Sequence, residues 1–193
     1  MEKKITIGSV LSNGMQLGIK NAASLLGCII LWILTSWIPY INIGTTIGLC
    51  CLPLEMAKGN VISPTSIFDK KYFKYMGEFF LTVSFMYTGI LMGTIFFVIP
   101  GMVISIAWSL AVLFVIDKGV NPMEGLSMSN KATMGYKWTI YLSQFIMGII
   151  ISVACVIFLL IPYIGWLFML IAVIVSIAIV LGMNAYIYSK LSK

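Results

Sequence analysis

The hydrophobic positions of the chain fall into six long runs separated by short polar or turn-forming connections. A membrane-spanning helix needs about 20 mostly apolar residues, so a chain of 193 residues has room for six such helices with short loops. The pattern therefore predicts an all-α fold, in which residues 1–193 form one integral membrane domain, a polytopic bundle of six transmembrane helices. The predicted spans cover residues 21–38, 41–57, 78–99, 102–116, 138–161 and 163–187.

Two of these runs and the N-terminal segment depart from a simple span. Residues 1–20 mix apolar side chains with Ser, Asn, Gln and Gly, which favours a segment lying at the membrane interface. The second run contains Pro53, which predicts a kinked helix that packs partly against protein. The fourth run would cover only ~22 Å at 1.5 Å per residue. We expect it to extend into Asp117 and Lys118, to thin the bilayer locally, or to pack against protein.

Three of the connections contain an Ile-Pro pair, namely Ile38-Pro39, Ile99-Pro100 and Ile161-Pro162. Proline disfavours helical geometry in the residue before it and cannot donate a hydrogen bond to the preceding turn. Each pair therefore predicts a tight reversal, and the six spans form three helical hairpins.

The other two internal connections each contain a polar residue followed by proline, Ser63-Pro64 and Asn121-Pro122. A polar N-cap with proline at the first helical position is typical of a helix start. Glu124 follows Asn121 at the spacing of a capping box. We expect short interfacial helices here, and the similarity of the two connections leaves open whether an ancestral hairpin was duplicated.

Every charged side chain lies near a terminus or in the two connections that lack an Ile-Pro pair. The cations are Lys3, Lys4, Lys20, Lys58, Lys70, Lys71, Lys74, Lys118, Lys131, Lys137, Lys190 and Lys193, and the acids are Glu2, Glu55, Asp69, Glu78, Asp117 and Glu124. By the positive-inside rule the lysine side is cytoplasmic. The sequence therefore predicts a multi-pass protein with both termini in the cytoplasm.

The composition supports a membrane protein and narrows its partners. Apolar residues make up 61% of the chain and charged residues 9%, with a mean hydropathy of +1.07. This composition does not fit a soluble globular surface. The net charge of +6 comes from sparse lysines near the membrane, which favours anionic membrane lipids over nucleic acid as the partner.

The sequence offers little chemistry for catalysis. The chain has no histidine, and the four cysteines lie inside apolar stretches without metal-ligand spacing. Glu55, Glu78 and Asp117 lie at the cytoplasmic ends of spans, where pairing with lysines explains them better than a shared cation or head-group site. We therefore expect no catalytic residue, metal or cofactor, and a protein that is not an enzyme.

Small residues recur four positions apart in the spans and predict close helix packing. Packing inside the bundle is favoured over a dimer face, and the oligomeric state stays open. The pairs are Ala23 and Gly27, Gly44 and Gly48, Gly89 and Gly93, Ala107 and Ala111, and Ala178 and Gly182.

Residues 98–138 carry a resemblance to a known family. The segments that match are Val98-Ile99-Pro100-Gly101-Met102, Ala107-Trp108-Ser109-Leu110-Ala111, Val115-Ile116-Asp117-Lys118-Gly119, Pro122-Met123-Glu124-Gly125-Leu126-Ser127-Met128-Ser129 and Gly135-Tyr136-Lys137-Trp138. They resemble a bacterial family of six-span proteins that includes the membrane domain of some glycerophosphodiester phosphodiesterases and stand-alone proteins of unknown function. The rest of the chain matches only loosely.

The resemblance implies a six-span architecture in the bacterial cytoplasmic (inner) membrane and a role connected with lipids or the envelope. Two residues depart from the family pattern: Ala107 replaces a residue that is often basic, and Gly125 replaces an alanine. The phosphodiesterase catalytic domain has no counterpart in this sequence, so its activity does not carry over.

Two classes of function remain. The favoured one is a non-enzymatic membrane module whose cytoplasmic lysines bind anionic lipid head groups or a protein partner. The alternative is a small exporter or channel for a neutral or amphiphilic solute, lined by the second and fourth spans. The lysines proposed for the module are Lys58, Lys70, Lys71, Lys74, Lys118, Lys131 and Lys137, and the polar path would include Asn42, Thr46, Ser105 and Ser109.

Overall fold

The computed structural model describes residues 5–161 and 163–192. All regular structure in this part of the chain is helical, so the all-α prediction is confirmed. The elements are α1 (Ile7–Thr35), α2 (Pro39–Cys50), α3 (Leu52–Ala57), a 3-10 helix (Pro64–Phe68), α4 (Lys70–Lys74), α5 (Met76–Phe96), α6 (Val98–Trp108), α7 (Ala111–Lys118), α8 (Pro122–Thr133), α9 (Lys137–Leu159) and α10 (Gly165–Leu191). Glu2, Lys3, Lys4, Pro162 and Lys193, which enter the charge and turn predictions, lie outside the described residues.

Five helical segments of the described chain are long and apolar enough to cross a membrane, as is typical of a multi-pass membrane protein. They are α1, α5, the combined α6 and α7, α9 and α10. The second predicted span, residues 41–57, corresponds to α2 and α3, which are separated at Cys51 and are each shorter than a span. The helix breaks at Cys51, and Pro53 lies two residues later, in the first turn of α3, where proline is tolerated.

Helix boundaries differ from the sequence pattern at two of the predicted spans. A single helix, α1, runs through the predicted interfacial segment and the first span, and it begins with a capping box at Thr6. The fourth predicted span, residues 102–116, begins earlier in the structure, at Val98. Pro100 is tolerated there because it lies in the first turn of α6, where its missing N–H leaves no hydrogen bond unmade. The spanning segment is 21 residues long and extends through Asp117 and Lys118, which is one of the expected ways to gain length, and half of its apolar window is buried against protein.

Helices α1 and α10 pack against each other in antiparallel directions. A Cβ atom on Gly14 would lie 2.8 Å from the Met183 Cα, and one on Gly18 would lie 2.5 Å from the Ile179 Cα. These close approaches require glycine on α1, as expected for helices that pack through small residues in lipid. The N-terminal end of α1 therefore lies beside the C-terminal end of α10.

The first lysine-bearing connection is folded against α1 and α2. The buried Asn21 amide oxygen accepts a hydrogen bond from the Ile62 N–H at 2.8 Å. Pro64 lies against Gly27, and Ile67 lies against Gly48. Two glycines that the sequence pattern assigned to helix pairing thus make room for this connection.

Helices α5 and α6 form an antiparallel hairpin, and α8 packs across it. Trp108 of α6 lies against Gly89 of α5, and Gly101 lies against Gly93. The break between the two helices lies at Phe97, so Ile99 and Pro100 belong to the first turn of α6.

Candidate functional site

The lysines of the first connection differ in whether their charge is already paired. Lys58 and Lys71 each bind the Glu55 carboxylate with N–O distances of 3.0 Å, and Lys71 also lies 3.5 Å from Asp69. Lys70 and Lys74 are exposed, and neither forms an ion pair with a carboxylate of the described chain. The expected pairing of Glu55 with lysines is therefore confirmed.

Local structure explains why Lys71 points inward. The Asp69 carboxylate accepts a hydrogen bond from the Lys71 N–H at 3.0 Å and so caps α4. Burial lowers the pKa of the Lys71 ammonium, but its hydrogen bond to Glu55 and the neighbouring acidic groups outweigh burial and raise this pKa above its ordinary value. Lys71 is therefore protonated and held in structural ion pairs with Glu55 and Asp69, so it is not a free cation.

The three lysines of the second connection have no carboxylate partner within the described residues. The Lys118 ammonium donates to the Ser192 backbone oxygen at 3.4 Å and lies 5.2 Å from the centre of the Phe114 ring. The Lys137 ammonium donates to the Asn130 side-chain oxygen at 3.0 Å. Lys131 is exposed on α8. None of these three lysines is neutralised by a carboxylate of the described residues.

Helix α8 begins where the sequence predicts. The Asn121 side chain accepts a hydrogen bond from the Glu124 N–H at 2.9 Å, and Pro122 occupies the first helical position. Asn121 as an N-cap is thus confirmed. At Ser63, the other predicted cap, the hydroxyl lies 2.9 Å from the Thr65 hydroxyl and makes no capping bond.

A buried serine fixes α8 against the junction of α6 and α7. The Ser129 hydroxyl donates to the Ala107 carbonyl at 2.7 Å and accepts from the Leu110 N–H at 3.2 Å. Leu110 lies at the break between the two helices, so Ser129 satisfies a backbone donor that the break has freed. The two parts of the resemblance pattern that contain Ser109 and Ser129 therefore pack on each other.

Close packing of α8 on α7 requires glycine at position 125. A Cβ atom at this position would collide with the Val115 side chain of α7. Glycine here lets α8 approach α7 closely.

The arrangement of α7, α8 and α10 forms a cationic cavity of about 440 Å³. Its polar lining includes Lys118, Lys131, Tyr136 and Ser192, and Phe114 and Met128 form part of its apolar wall. Sequence reasoning grouped Lys118 and Lys131 through their shared connection, but it did not identify Ser192. No pattern linked the last helix to this connection.

The residues of the predicted polar path lie in the described chain as follows. The Thr46 hydroxyl accepts a hydrogen bond from the Trp32 indole N–H at 2.8 Å. Ser105 and Ser109 donate to carbonyls of their own helix. The Asn42 side-chain nitrogen is buried and has no hydrogen-bond partner in the described chain. Of the four, Asn42 alone has an unsatisfied polar atom in this part of the chain.

Asp117, next to Lys118 in sequence, is held by a tyrosine and forms no ion pair with a lysine of the described chain. Tyr188 donates a hydrogen bond to the Asp117 carboxylate at 2.6 Å. The described residues contain no group of three or more His, Cys, Asp or Glu side chains arranged to hold a metal ion.

Comparison of the chain with protein-family models, with curated proteins and with solved structures finds no match among any of them.

Proposed function

We propose that this chain is a non-enzymatic module of the bacterial cytoplasmic membrane that binds anionic membrane lipids, or a protein partner, through its lysine-bearing connections. The observation that carries the proposal is the group of unpaired lysines Lys118, Lys131 and Lys137, two of which share a cavity. Lysines near a membrane surface attract anionic lipids by about 1 kcal/mol each. Lys70 and Lys74 extend this surface, whereas Lys58 and Lys71 contribute less because Glu55 and Asp69 already neutralise them.

The proposed topology has six spans in three hairpins with both termini in the cytoplasm. The antiparallel packing of α1 and α10 supports it, because a chain whose first and last spans point in opposite directions crosses the membrane an even number of times. Five spans would leave the count odd, so we assign the sixth crossing to α2 and α3 together. The lysine distribution then places the termini in the cytoplasm.

Membership of the six-span bacterial family is part of the proposal. It rests on the residues that resemble the family pattern, and it gains support from the contact between Ser129 and the Ala107–Leu110 segment. That contact joins two separate parts of the pattern in the folded protein.

The test is the lipid content of the purified protein. The variant replaces the unpaired lysines of both connections by glutamine, at Lys70, Lys74, Lys118, Lys131 and Lys137. Mass spectrometry of lipids that co-purify in mild detergent should show that the anionic fraction falls to that of the bulk membrane. The variant Lys20→Gln with Lys190→Gln controls for loss of charge elsewhere. Unchanged anionic enrichment in the five-lysine variant would rule out the lipid-binding function.

The transport alternative is favoured by one observation, the buried Asn42 amide without a hydrogen-bond partner. A buried polar group in this state is rare and often marks water or a ligand. An exporter or channel would use Asn42 together with Thr46, Ser105 and Ser109 as a polar path through the second and fourth spans.

A further inference from the structure

An apolar groove lies between α6 and the beginning of α9. Met102, Val103 and Ile106 form one wall, and Trp138 and Tyr141 form the other. Its volume is about 680 Å³, inside the range of roughly 300–1,000 Å³ that is usual for small-molecule sites. Among the described residues that line the groove, Lys137 alone is charged. The groove can therefore hold a hydrocarbon chain, and Lys137 supplies one positive charge in its lining.

The groove adjoins the cationic cavity that contains Lys118 and Lys131. Met134 lines both spaces, and the turn at Gly135 connects it to Lys137. The Gly135 φ angle of +82° belongs to the left-handed region, which lets the chain reverse within one residue between α8 and α9. Lys118 and Lys131 thus line the polar cavity, and Lys137 lines the apolar groove that adjoins it.

The chemistry of the two spaces restricts the occupant. The apolar groove favours hydrocarbon, since polar groups placed there would lose their hydrogen bonds to water. The cavity favours a negative charge, because Lys118 and Lys131, which line it, have no carboxylate partner in the described chain, and neither has Lys137 in the adjoining groove. Trp138, 76% exposed, and Met134, 75% exposed, present apolar surface beside the groove, as a surface in contact with lipid does. One molecule with both properties is a glycerophospholipid with a net negative head group.

We infer that this junction is a specific site for a single anionic phospholipid. Its phosphate lies among Lys118, Lys131 and Lys137, and an acyl chain occupies the groove between α6 and α9. The inference rests on the proposed lipid-binding function and deepens it, because it replaces a diffuse basic surface by one site in the second connection. The first connection is a poorer site, since Lys58 and Lys71 are already held by Glu55.

The first test counts bound lipids by native mass spectrometry of the full chain, with phosphatidylglycerol as the probe and phosphatidylcholine as the zwitterionic comparison. We expect one phosphatidylglycerol to remain bound under conditions that strip phosphatidylcholine. The variant Lys131→Gln with Lys137→Gln should lose this lipid, with occupancy falling at least about tenfold. The variant Lys20→Gln with Lys190→Gln removes the same charge elsewhere and should keep it.

The second test fills the groove without removing any charge. Val103→Trp places a large ring in the groove, whereas Val173→Trp adds the same ring to an equally exposed valine of α10. The bound phosphatidylglycerol should be lost in the first variant and retained in the second.

The outcomes separate this inference from the broader function. If the variant Lys131→Gln with Lys137→Gln and the variant Lys20→Gln with Lys190→Gln weaken phosphatidylglycerol binding equally, the attraction depends on net charge alone. The specific site is then wrong, while the lipid-binding function stands. Equal retention of phosphatidylcholine and phosphatidylglycerol, or full occupancy with Val103→Trp, would also overturn the site. The lipid-binding function itself fails only if the five-lysine variant keeps its anionic lipid.

Discussion

Single polar side chains hold segments of this protein together across long stretches of sequence. Asn21 uses its amide oxygen to bind the Ile62 N–H and its amide nitrogen to bind the Leu17 carbonyl. Ser129 bridges Ala107 and Leu110 in the same manner. Both side chains are fully buried. Each hydrogen bond therefore satisfies a polar group that would be costly to bury without a partner.

Loss of the Asn21 acceptor should loosen the first connection. Asn21→Leu keeps the branched shape of the side chain but leaves the Ile62 N–H without a partner, which should lower the free energy of unfolding by about 1–3 kcal/mol. Thermal unfolding in detergent measures the loss, and hydrogen exchange at the Ile62 amide locates it. Asn60→Leu, at an exposed turn position without a hydrogen bond, is the matched control. Similar effects of the two variants would show that the Asn21 contact is unimportant.

At the scale of elements, small residues decide which surfaces come into contact. Gly14 and Gly18 let α1 lie close to α10, and Gly48 gives the 3-10 helix its place beside α2. Gly148 of α9, by comparison, has no atom within 4 Å of its would-be Cβ position. The same residue type is therefore structural in one helix and replaceable in another.

Two alanine substitutions should therefore have opposite effects. Gly18→Ala places a Cβ atom 2.5 Å from the Ile179 Cα, and overpacking of this kind typically destabilises by about 1–3 kcal/mol. Gly148→Ala should leave stability unchanged or raise it by up to about 1 kcal/mol, because alanine favours the helix and meets open space. Unfolding midpoints of the two purified variants provide the measurement. A Gly18→Ala protein as stable as the unmodified chain would contradict close packing of α1 on α10.

At the scale of the whole molecule, the number of crossings determines which side of the membrane each surface faces. The antiparallel α1 and α10 require an even number, whereas only five helical segments of the described chain are long enough to span alone. The proposed topology therefore depends on whether α2 and α3 together cross the membrane.

Reporter fusions test this topology directly. With six crossings, green fluorescent protein fused to the C-terminus should fluoresce, and alkaline phosphatase at the same place should be inactive, because only the former works in the cytoplasm. Phosphatase fused after Ser36 should be active, and phosphatase fused after Lys58 should be inactive, since α2 and α3 return the chain to the inside. Activity after Lys58 would show that these helices do not cross.

Cysteine labelling separates the lipid-binding module from the transporter. In a background without the four native cysteines, Thr46→Cys and Ser109→Cys should be protected from a water-soluble thiol reagent, because the module places both half-buried positions within membrane helices and not along a water-filled path. Asn60→Cys, in an exposed turn, should react fully. Labelling at both Thr46 and Ser109 would instead support the polar path.

The sequence by itself determined the class of the protein, its helical content and several local features. The apolar runs predicted the membrane helices, and Asn121 followed by Pro122 predicted the start of α8. These features depend on hydropathy and on residues within a few positions of each other, which a linear pattern records directly. The prolines were less informative about helix ends, since Pro39 and Pro100 both lie in the first turn of a helix.

Only the tertiary structure decided which lysines remain free and which surfaces they share. Lys71 meets Glu55 from 16 positions away, and Lys118 meets Ser192 from 74 positions away. The junction of the cationic cavity with the apolar groove likewise joins α6, α7, α8, α9 and α10. Such pairings depend on how the helices pack. The sequence around a lysine does not show whether its side chain will meet a carboxylate in the folded protein.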